Sequence, residues 1–533
     1  MDCSAQYLPY ENTGYFSKIV QDYLQQHENL KPYYLHEANL VGVQSAMAER
    51  DLHSVDRVVL AEALTEQYQG VKTDDLVKKN IEALLLPNGY TVTTAHQPNI
   101  FTGPLYFIYK IIHTIKLASE LTSKFPEKKF IPVYYMGSED ADLDELGFVN
   151  IDGTKLVWDT AQTGAVGRMI VDKAFLALIK RIAGQVGVLP YGNELTALFE
   201  SCYTLGKTIQ QSTLELVNVL FGRYGLLVLV PDNPKLKRIF TPIIAKELTE
   251  QFSQKIVAET IAGLQEHYKV QAAGRPINLF YLLENKRERI EYNNGLYEVT
   301  ALGLQFTKEA ILEELSHYPE RFSPNVILRG AFQESILPNI IFIGGGGELA
   351  YWLELKNVFK AAGVAYPLLM LRNSFALITN KMVSKQTALQ INDADLFLPT
   401  HELIKEYVER NSNNELNLSE DIDNAKALYK LLHDKAQKID ATLNDHVRAL
   451  ENSAIKNIKA LELKFRRAEK RKFSTAESQI TQLKEFLFPA NSLQERHENI
   501  SIFYSKFGPQ IFDLIYESSK GIDPAFILIK LNQ

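Results

Sequence analysis

Thr91–Ala118, TVTTAHQPNIFTGPLYFIYKIIHTIKLA, is the stretch from which the fold can be read. Tyr90–Ala95 is uncharged and rich in β-branched residues. Pro87-Asn88-Gly89 before it is a turn signal, so a strand is predicted. A polar loop, His96-Gln97-Pro98-Asn99, runs on to Thr102-Gly103-Pro104. Pro104 suits the first turn of a helix, with Thr102 as a candidate N-cap. Leu105, Ile108, Ile112, Ile115 and Leu117 then form an apolar helical face, with Lys110 and Lys116 among the polar positions. In α/β proteins such strand–loop–helix junctions hold ligands, because the free N–H groups at a helix N-terminus favour negative charge.

The pattern repeats outward. Lys128–Met136, Leu226–Val230, Asn339–Ile343 and Val364–Leu371 read as further strands, with helical periodicity at 173–223 and 235–270. Phe148–Ile151 and Lys155–Trp158 read as a hairpin, and short strands are predicted around Asn293-Asn294-Gly295. Alternation of this kind through 90–372 predicts an α/β fold, a doubly wound, mostly parallel sheet with inserted connecting segments. Residues 1–86 read as mainly helical, and another helix is expected around Phe503–Tyr516. From about Ser419 apolar residues recur in steps of three and four from Ala425 to Ala468, with no Gly or Pro between them. That spacing predicts one long helix with a coiled-coil seam, which needs a partner helix from this chain or another. Its basic end, Lys464 to Lys472, suits a helix C-terminus.

The chain has 533 residues, 46% of them hydrophobic, and a net charge of −7. This is a globular composition, too acidic overall for bulk nucleic-acid binding. Two cysteines, Cys3 and Cys202, offer neither a disulfide framework nor a thiolate zinc site, which fits a reducing compartment. No secretory signal and no membrane-length apolar run occurs, so a cytoplasmic protein is expected.

Four places can carry chemistry. His96, Gln97, Asn99, Thr102 and Gly103 sit between a strand and a helix, with Tyr106 and Lys110 on the first turns beyond. Glu139, Asp140, Asp142, Asp144 and Glu145 follow the second strand. Carboxylates there can bind an amine, act as a base or hold a metal; a solvated turn is the alternative for the whole cluster, and Asp144 and Glu145 are read as surface. Gly344, Gly345, Gly346 and Gly347, with Glu348 at the helix start, let a backbone approach an anion, although no P-loop or dinucleotide fingerprint is complete. Arg329, Gln333 and Arg372 flank these elements, and an arginine there can fork onto a carboxylate. No metal motif is present. His96–Asn99 is similar to the HIGH signature of class I aminoacyl-tRNA synthetases and nucleotidyltransferases, and Lys381–Lys385 to their KMSKS loop.

Taken as an ordered set, Thr102-Gly-Pro-Leu-Tyr106…Lys110, Gly137-Ser-Glu-Asp-Ala-Asp142…Glu145, Ser323-Pro-Asn-Val…Arg329…Gln333-Glu334…Leu337-Pro338, Gly344–Glu348…Tyr351-Trp352 and Gln494-Glu495-Arg496 resemble the bacillithiol-biosynthesis cysteine-adding enzymes. The resemblance runs from about residue 90 to the C-terminus. It implies a Rossmann-like catalytic core over 1–385, a coiled-coil domain over 386–488 that makes a homodimer, and a helical segment, 489–533, returning to the core. It implies addition of cysteine to the amine of glucosaminyl malate, with ATP as a possible energy source from the synthetase-like architecture. Two departures from the family's pattern matter: Ala95-His96-Gln97 stands for Gly-Gln-Gln, and Ala141 for His. A general catalytic role for His96 therefore does not follow from the resemblance.

Three readings stand at this stage. The favoured one is an amide-forming ligase with Glu139, Asp140, Asp142 and His96 as candidate catalytic groups. The substrate would be bound by the loop, the glycine run with Tyr351, and the flanking Arg329, Gln333 and Arg372. Nucleotidyl transfer on the same scaffold is the second, and a non-catalytic coiled-coil scaffold the third. In the favoured reading the loops after the strands at 90, 128 and 339 converge on one pocket, walled by Tyr106, Tyr351 and Trp352.

Overall fold

A computed structural model describes residues 2–270 and 274–532. The central sheet is five-stranded and wholly parallel. Its strands are β1 (Gly89–His96), β2 (Lys129–Met136), β3 (Leu227–Leu229), β4 (Asn339–Gly344) and β5 (Leu368–Leu371), in the order β5-β4-β1-β2-β3. Every residue of β4 and β5 is buried, as are the first six of β1 and the last seven of β2. Strands covered on both faces read as continuous uncharged runs, which is why these four are legible. Tyr90, Val92, Ile341, Ile343, Leu368 and Met370 join Leu117 and Leu121 of helix α1 (Tyr106–Lys124) in one apolar core.

The strand order places the functional site. The chain builds β1, β2 and β3 outward in one direction, then returns to lay β4 on the free edge of β1. The order therefore reverses between β1 and β4, and a crevice opens beyond their carboxyl ends. Helix α1 follows β1, and helices α2 (Val326–Ile336) and α3 (Gly346–Leu353) flank β4.

Several local expectations are corrected. Residues 1–86 do carry four helices, but Asp2–Leu8 is a strand, in a small sheet with Phe526–Asn532 and Ser374–Thr379. The tail helix is two, Ser501–Phe507 and Gln510–Ser518, parted at Gly508-Pro509. Thr102 does not cap α1. Thr102 and Gly103 have φ of 72° and 60°, whereas an N-cap needs an extended backbone. Pro104 bridges to Asn499, and the helix begins beyond it, at Tyr106.

The chain divides into two compact units, one of Cys3–Leu377 with Ser492–Ile529 and the other chiefly of Ile378–Asn491. In the second, the predicted single long helix is two, α4 (Ser419–Ile439) and α5 (Leu443–Lys472). Asp440 is extended, and its carboxylate accepts from the backbone N–H and the hydroxyl of Thr442, both at 2.8 Å, so the chain turns there without Gly or Pro. Glu469, near the end of α5, bonds Ser412 and Asn414, just before α4 starts. The two halves of the stripe therefore pack against each other as an antiparallel hairpin.

Candidate active site

A cavity of about 250 Å³ occupies the crevice at the switch between β1 and β4. The end of β1 supplies Ala95 and His96, followed by Gln97; α1 supplies Tyr106 and Lys110; the glycine run supplies Gly345, Gly346 and Gly347. Glu348, Tyr351, Arg329 and Arg372 complete the predicted residues that line it. Tyr135, Gly137 and Arg496 line it too and were not predicted. Gly137 is where the backbone passes Arg329, since a Cβ there would stand 3.5 Å from a guanidinium nitrogen.

The charged side chains of the wall are mostly cationic: Lys110, Arg329, Arg372 and Arg496 against Glu348. Lys110 is 2% exposed, donates to the Ala95 carbonyl at 3.0 Å and pairs with Glu348. Burial pushes its ammonium below the ordinary range, and Glu348 partly restores it. Arg372 is forked onto Glu495 at 2.6 and 3.0 Å, which spends both terminal nitrogens, while its Nε is buried without a partner. Glu348 also accepts from the Gly345 N–H at 2.9 Å, which fixes the first turn of α3. The next N–H groups of that helix have no intrahelical acceptor. A Cβ on Gly347 would meet nothing within 4 Å, so glycine there leaves open space rather than relieving a clash. Gly344 differs: a Cβ would crowd Phe342 and Glu348 at 2.9 and 3.0 Å, so its role is packing, and it does not line the cavity.

His96 stands edge-on to Tyr106, ring centroids 5.2 Å apart, and its Nε2 is buried without a hydrogen-bond partner. Burial, and then the charges of Lys110, Arg372 and Arg329, hold the imidazole well below its ordinary pKa. It is neutral at neutral pH and offers one donor and one acceptor, not a charge.

The acidic loop divides. Asp140 does not itself line the cavity but meets two residues that do: it accepts from the Gln97 amide at 3.2 Å and lies 3.8 Å from Arg329. Burial raises its pKa, but Arg329, Arg287 and Gln97 outweigh that and hold it below the usual carboxylate range. Glu139 is directed elsewhere. It pairs with the buried Lys237 and accepts from the Ser323 hydroxyl at 2.8 Å; Lys237 lies 3.7 Å from Asp232, which is itself forked by Arg168. Asp142 caps the short helix Leu143–Leu146, accepting from the Glu145 N–H at 3.1 Å. The strand order explains the division: this loop follows β2, one strand away from the switch.

Other predicted residues lie in the scaffold. Asn99 sits under Gly103, where a Cβ would clash with it at 2.6 Å, so the φ of 60° and this close approach both require glycine. Thr102 is 2% exposed. Asn499 donates to the Phe101 and Gly103 carbonyls and pins the loop from below. Gln333 is buried against Glu334 at 2.9 Å, and Trp352 stacks on Phe342 in the core rather than walling the cavity. The KMSKS-like Lys381–Lys385 lies on the regular helix Asn380–Ala388 of the second unit, with Lys385 bound to Gln482.

Arg496 arrives from the C-terminal segment. Gln494 exchanges hydrogen bonds with the backbone of Leu377 at 2.9 and 3.1 Å, and Glu495 accepts from the Phe375 N–H at 3.1 Å. These anchors leave Arg496 at the cavity. The signal was visible as Gln494-Glu495-Arg496, one of the ordered motifs that carry the resemblance.

Comparison with known proteins identifies the family. The model described as the Bacillithiol biosynthesis BshC N-terminal Rossmann-like domain matches residues 2–373, and that of the BshC C-terminal coiled-coil domain matches 375–531. The chain belongs to the bacillithiol biosynthesis BshC family. A Flavobacterium johnsoniae protein provisionally named cysteine ligase BshC is 39% identical over 526 residues, 98% of this chain and 99% of that one. A Christiangramia forsetii protein of the same name is 37% identical, covering 98% of each chain. Among solved structures, a Mycobacterium tuberculosis methionyl-tRNA synthetase is similar over 81% of this chain and 91% of its own, at 11% identity and a TM-score of 0.20, too slight a likeness to bear on the fold. The family is the one that the ordered motifs resemble, and the Rossmann-like core with a coiled-coil domain is the predicted architecture.

Proposed function

We propose that the chain is a cysteine ligase of bacillithiol biosynthesis, forming the amide between the cysteine carboxyl and the amine of glucosaminyl malate. One observation carries this reading. The cavity at the switch is polarised, with Lys110, Arg329, Arg372, Arg496 and the start of α3 around it and the ionised Asp140 behind its lining residues Gln97 and Arg329. Four cations and a helix N-terminus suit carboxylates or phosphates, and a carboxylate at the margin suits an ammonium. The two substrates carry both kinds of group. The names of the full-length relatives support the activity.

Amide formation needs an activated carboxyl, and we propose ATP as its source. The anionic leaving group would lie along the glycine run, where Gly347 leaves room. His96, neutral and with a free ring nitrogen, would hydrogen-bond the reacting groups, and Asp140 would orient the amine. Product analysis by mass spectrometry with cysteine, glucosaminyl malate and ATP, each omitted in turn, tests all of this. Cysteinyl product that requires all three supports it. Pyrophosphate release without a thiol product would replace it with nucleotidyl transfer.

We further propose that the chain acts in the cytoplasm as a homodimer. No helix among the described residues is long and apolar enough to cross a membrane, and the chain's two cysteines, Cys3 and Cys202, form no spaced pair in the sequence. Leu428, Leu431, Ile439, Leu450 and Leu463 stay 47–80% exposed although α4 and α5 pack together. Large apolar side chains left exposed along both helices of a hairpin suit burial against a second copy.

A further inference from the structure

Among the described residues, a single carboxylate lines the crevice at the switch, that of Glu348. Its two oxygens are used differently. Oε2 pairs with the buried Lys110 ammonium and accepts from the Gly345 N–H at 2.9 Å. Oε1 accepts from no group among the described residues and is not buried. The side chain as a whole is 23% exposed. One oxygen is therefore clamped from the protein side, which fixes the plane of the carboxylate. The other is left for whatever occupies the cavity.

The other groups near the cavity are less suited to accept a proton. Asp140 stands behind Gln97 and Arg329 and does not meet the cavity itself. His96 keeps an unpartnered Nε2, but burial and the charges of Lys110, Arg372 and Arg329 disfavour its protonation. Burial pushes the Tyr106 phenol up to about 12 and raises that of Tyr351 too, so both are donors at neutral pH. Lys110 is already engaged by the Ala95 carbonyl and by Glu348.

We propose that Glu348 is the general base of amide formation, its Oε1 taking the proton that the attacking amine loses. This assignment rests on the ligase reading. In that reading the leaving group lies along the glycine run, and Glu348 directly follows Gly347, so the base stands beside the carbonyl carbon that carries the leaving group. The neutral amine attacks the activated cysteinyl carbon, and its lone pair forms the N–C bond. The N–H becomes strongly acidic as that bond forms, and its proton passes to Oε1. The C–O bond to the phosphate-type leaving group breaks, and its electron pair departs with that oxygen. Glu348 then passes the proton to water. Lys110 positions the base by holding its other oxygen.

Glu348→Gln tests this, assayed in the full chain with two acceptors at saturating cysteine and ATP. The amide oxygen of the variant can still accept from the Gly345 N–H, so the first turn of α3 is kept. Hydroxylamine is a small, strong nucleophile that needs no base, and it traps activated cysteine as the hydroxamate. A positioned base contributes about 100–10,000-fold, so the variant should form product with glucosaminyl malate more slowly by about that factor. Its hydroxamate formation should stay near the wild-type rate, which also shows that the variant is folded and activates cysteine. Equal losses with both acceptors would overturn the proposal, because Glu348 would then serve activation or the fold. So would a wild-type rate with glucosaminyl malate, while the ligase reading would stand. A wild-type protein that makes neither product would overturn the ligase reading and this assignment with it.

Discussion

Asp140 and Glu139 are adjacent carboxylates with different work. Asp140 faces the guanidinium of Arg329 and the amide of Gln97 at the crevice, whereas Glu139 is locked to Lys237 and Ser323 beneath the loop. The sequence shows an acidic loop after a buried strand. It cannot show which carboxylate meets Lys237, because that contact depends on how β3 and the helix after it pack. Asp140→Asn keeps the shape and removes the charge. A charged hydrogen bond is worth roughly 1.5–3 kcal/mol, so turnover should fall about 10–100-fold. The melting temperature should move little, because Asp140 stays partly exposed. Full turnover in the variant would remove Asp140 from the mechanism. Glu334, in the scaffold, gives a prediction of another kind. Burial raises its carboxyl from the ordinary 4.5 to about 7, although Arg50, Gln333 and Asn339 oppose the shift. The folded state therefore binds a proton that the unfolded state has released between these values, and the stability contributed by this group is lost as pH rises from about 4.5 to 7. Each pH unit is worth at most ~1.4 kcal/mol. Glu334→Gln cannot titrate, so its melting temperature relative to wild type should climb between pH 5 and pH 8. A constant difference across that range would show that Glu334 does not titrate there.

Elements were legible where local chemistry decides them. β1, β2 and β4 announce themselves as uncharged runs ended by polar or glycine-rich loops, and Asn294-Gly295 forms the turn of a tight hairpin, pairing Asn293 with Leu296. The break between α4 and α5 was hidden because its signal is a side chain bonding its own backbone at Asp440, inside an apolar stripe that runs on through it. The strands Asp2–Leu8 and Phe526–Asn532 were hidden for a different reason: each exists by pairing with the other, from opposite ends of the chain. Folding the stripe back on itself satisfies part of it and leaves Leu443 and Leu450 40% and 47% exposed. If those positions meet a second copy, Leu443→Lys with Leu450→Lys places charge in the seam. Light scattering at micromolar concentration should then give a dimer for wild type and a monomer for the variant, with helical content preserved. A monomeric wild type would mean that the hairpin alone is the complete element.

At the scale of the whole molecule, the crevice follows from strand order, and strand order is a long-range property. The reversal between β1 and β4 needs β4 to cross back over everything built since β1, which local periodicity does not encode. The loops after β1 and β4 met as expected, while the loop after β2 lines the cavity at Gly137 and not with its predicted carboxylates. The least legible contribution is the C-terminal segment, because it works through neighbours far away in the chain. Gln494 and Glu495 fix it to residues 375–377 and to Arg372, and Arg496 is then presented to the cavity. Two adjacent substitutions should therefore have separate consequences. Arg496→Gln should leave the melting temperature near wild type and raise KM for the anionic substrate about 10–100-fold, the loss expected of one charged contact. Glu495→Gln removes one member of a pair whose carboxylate is fully buried, and breaking such a pair costs roughly 3–5 kcal/mol. Its first effect should be a lower melting temperature, with activity lost as the segment loosens. Equal losses of stability in the two variants would mean that Arg496 belongs to the anchor. An unchanged KM in Arg496→Gln would mean that the substrate's negative charge is met by Lys110, Arg329 and Arg372 alone.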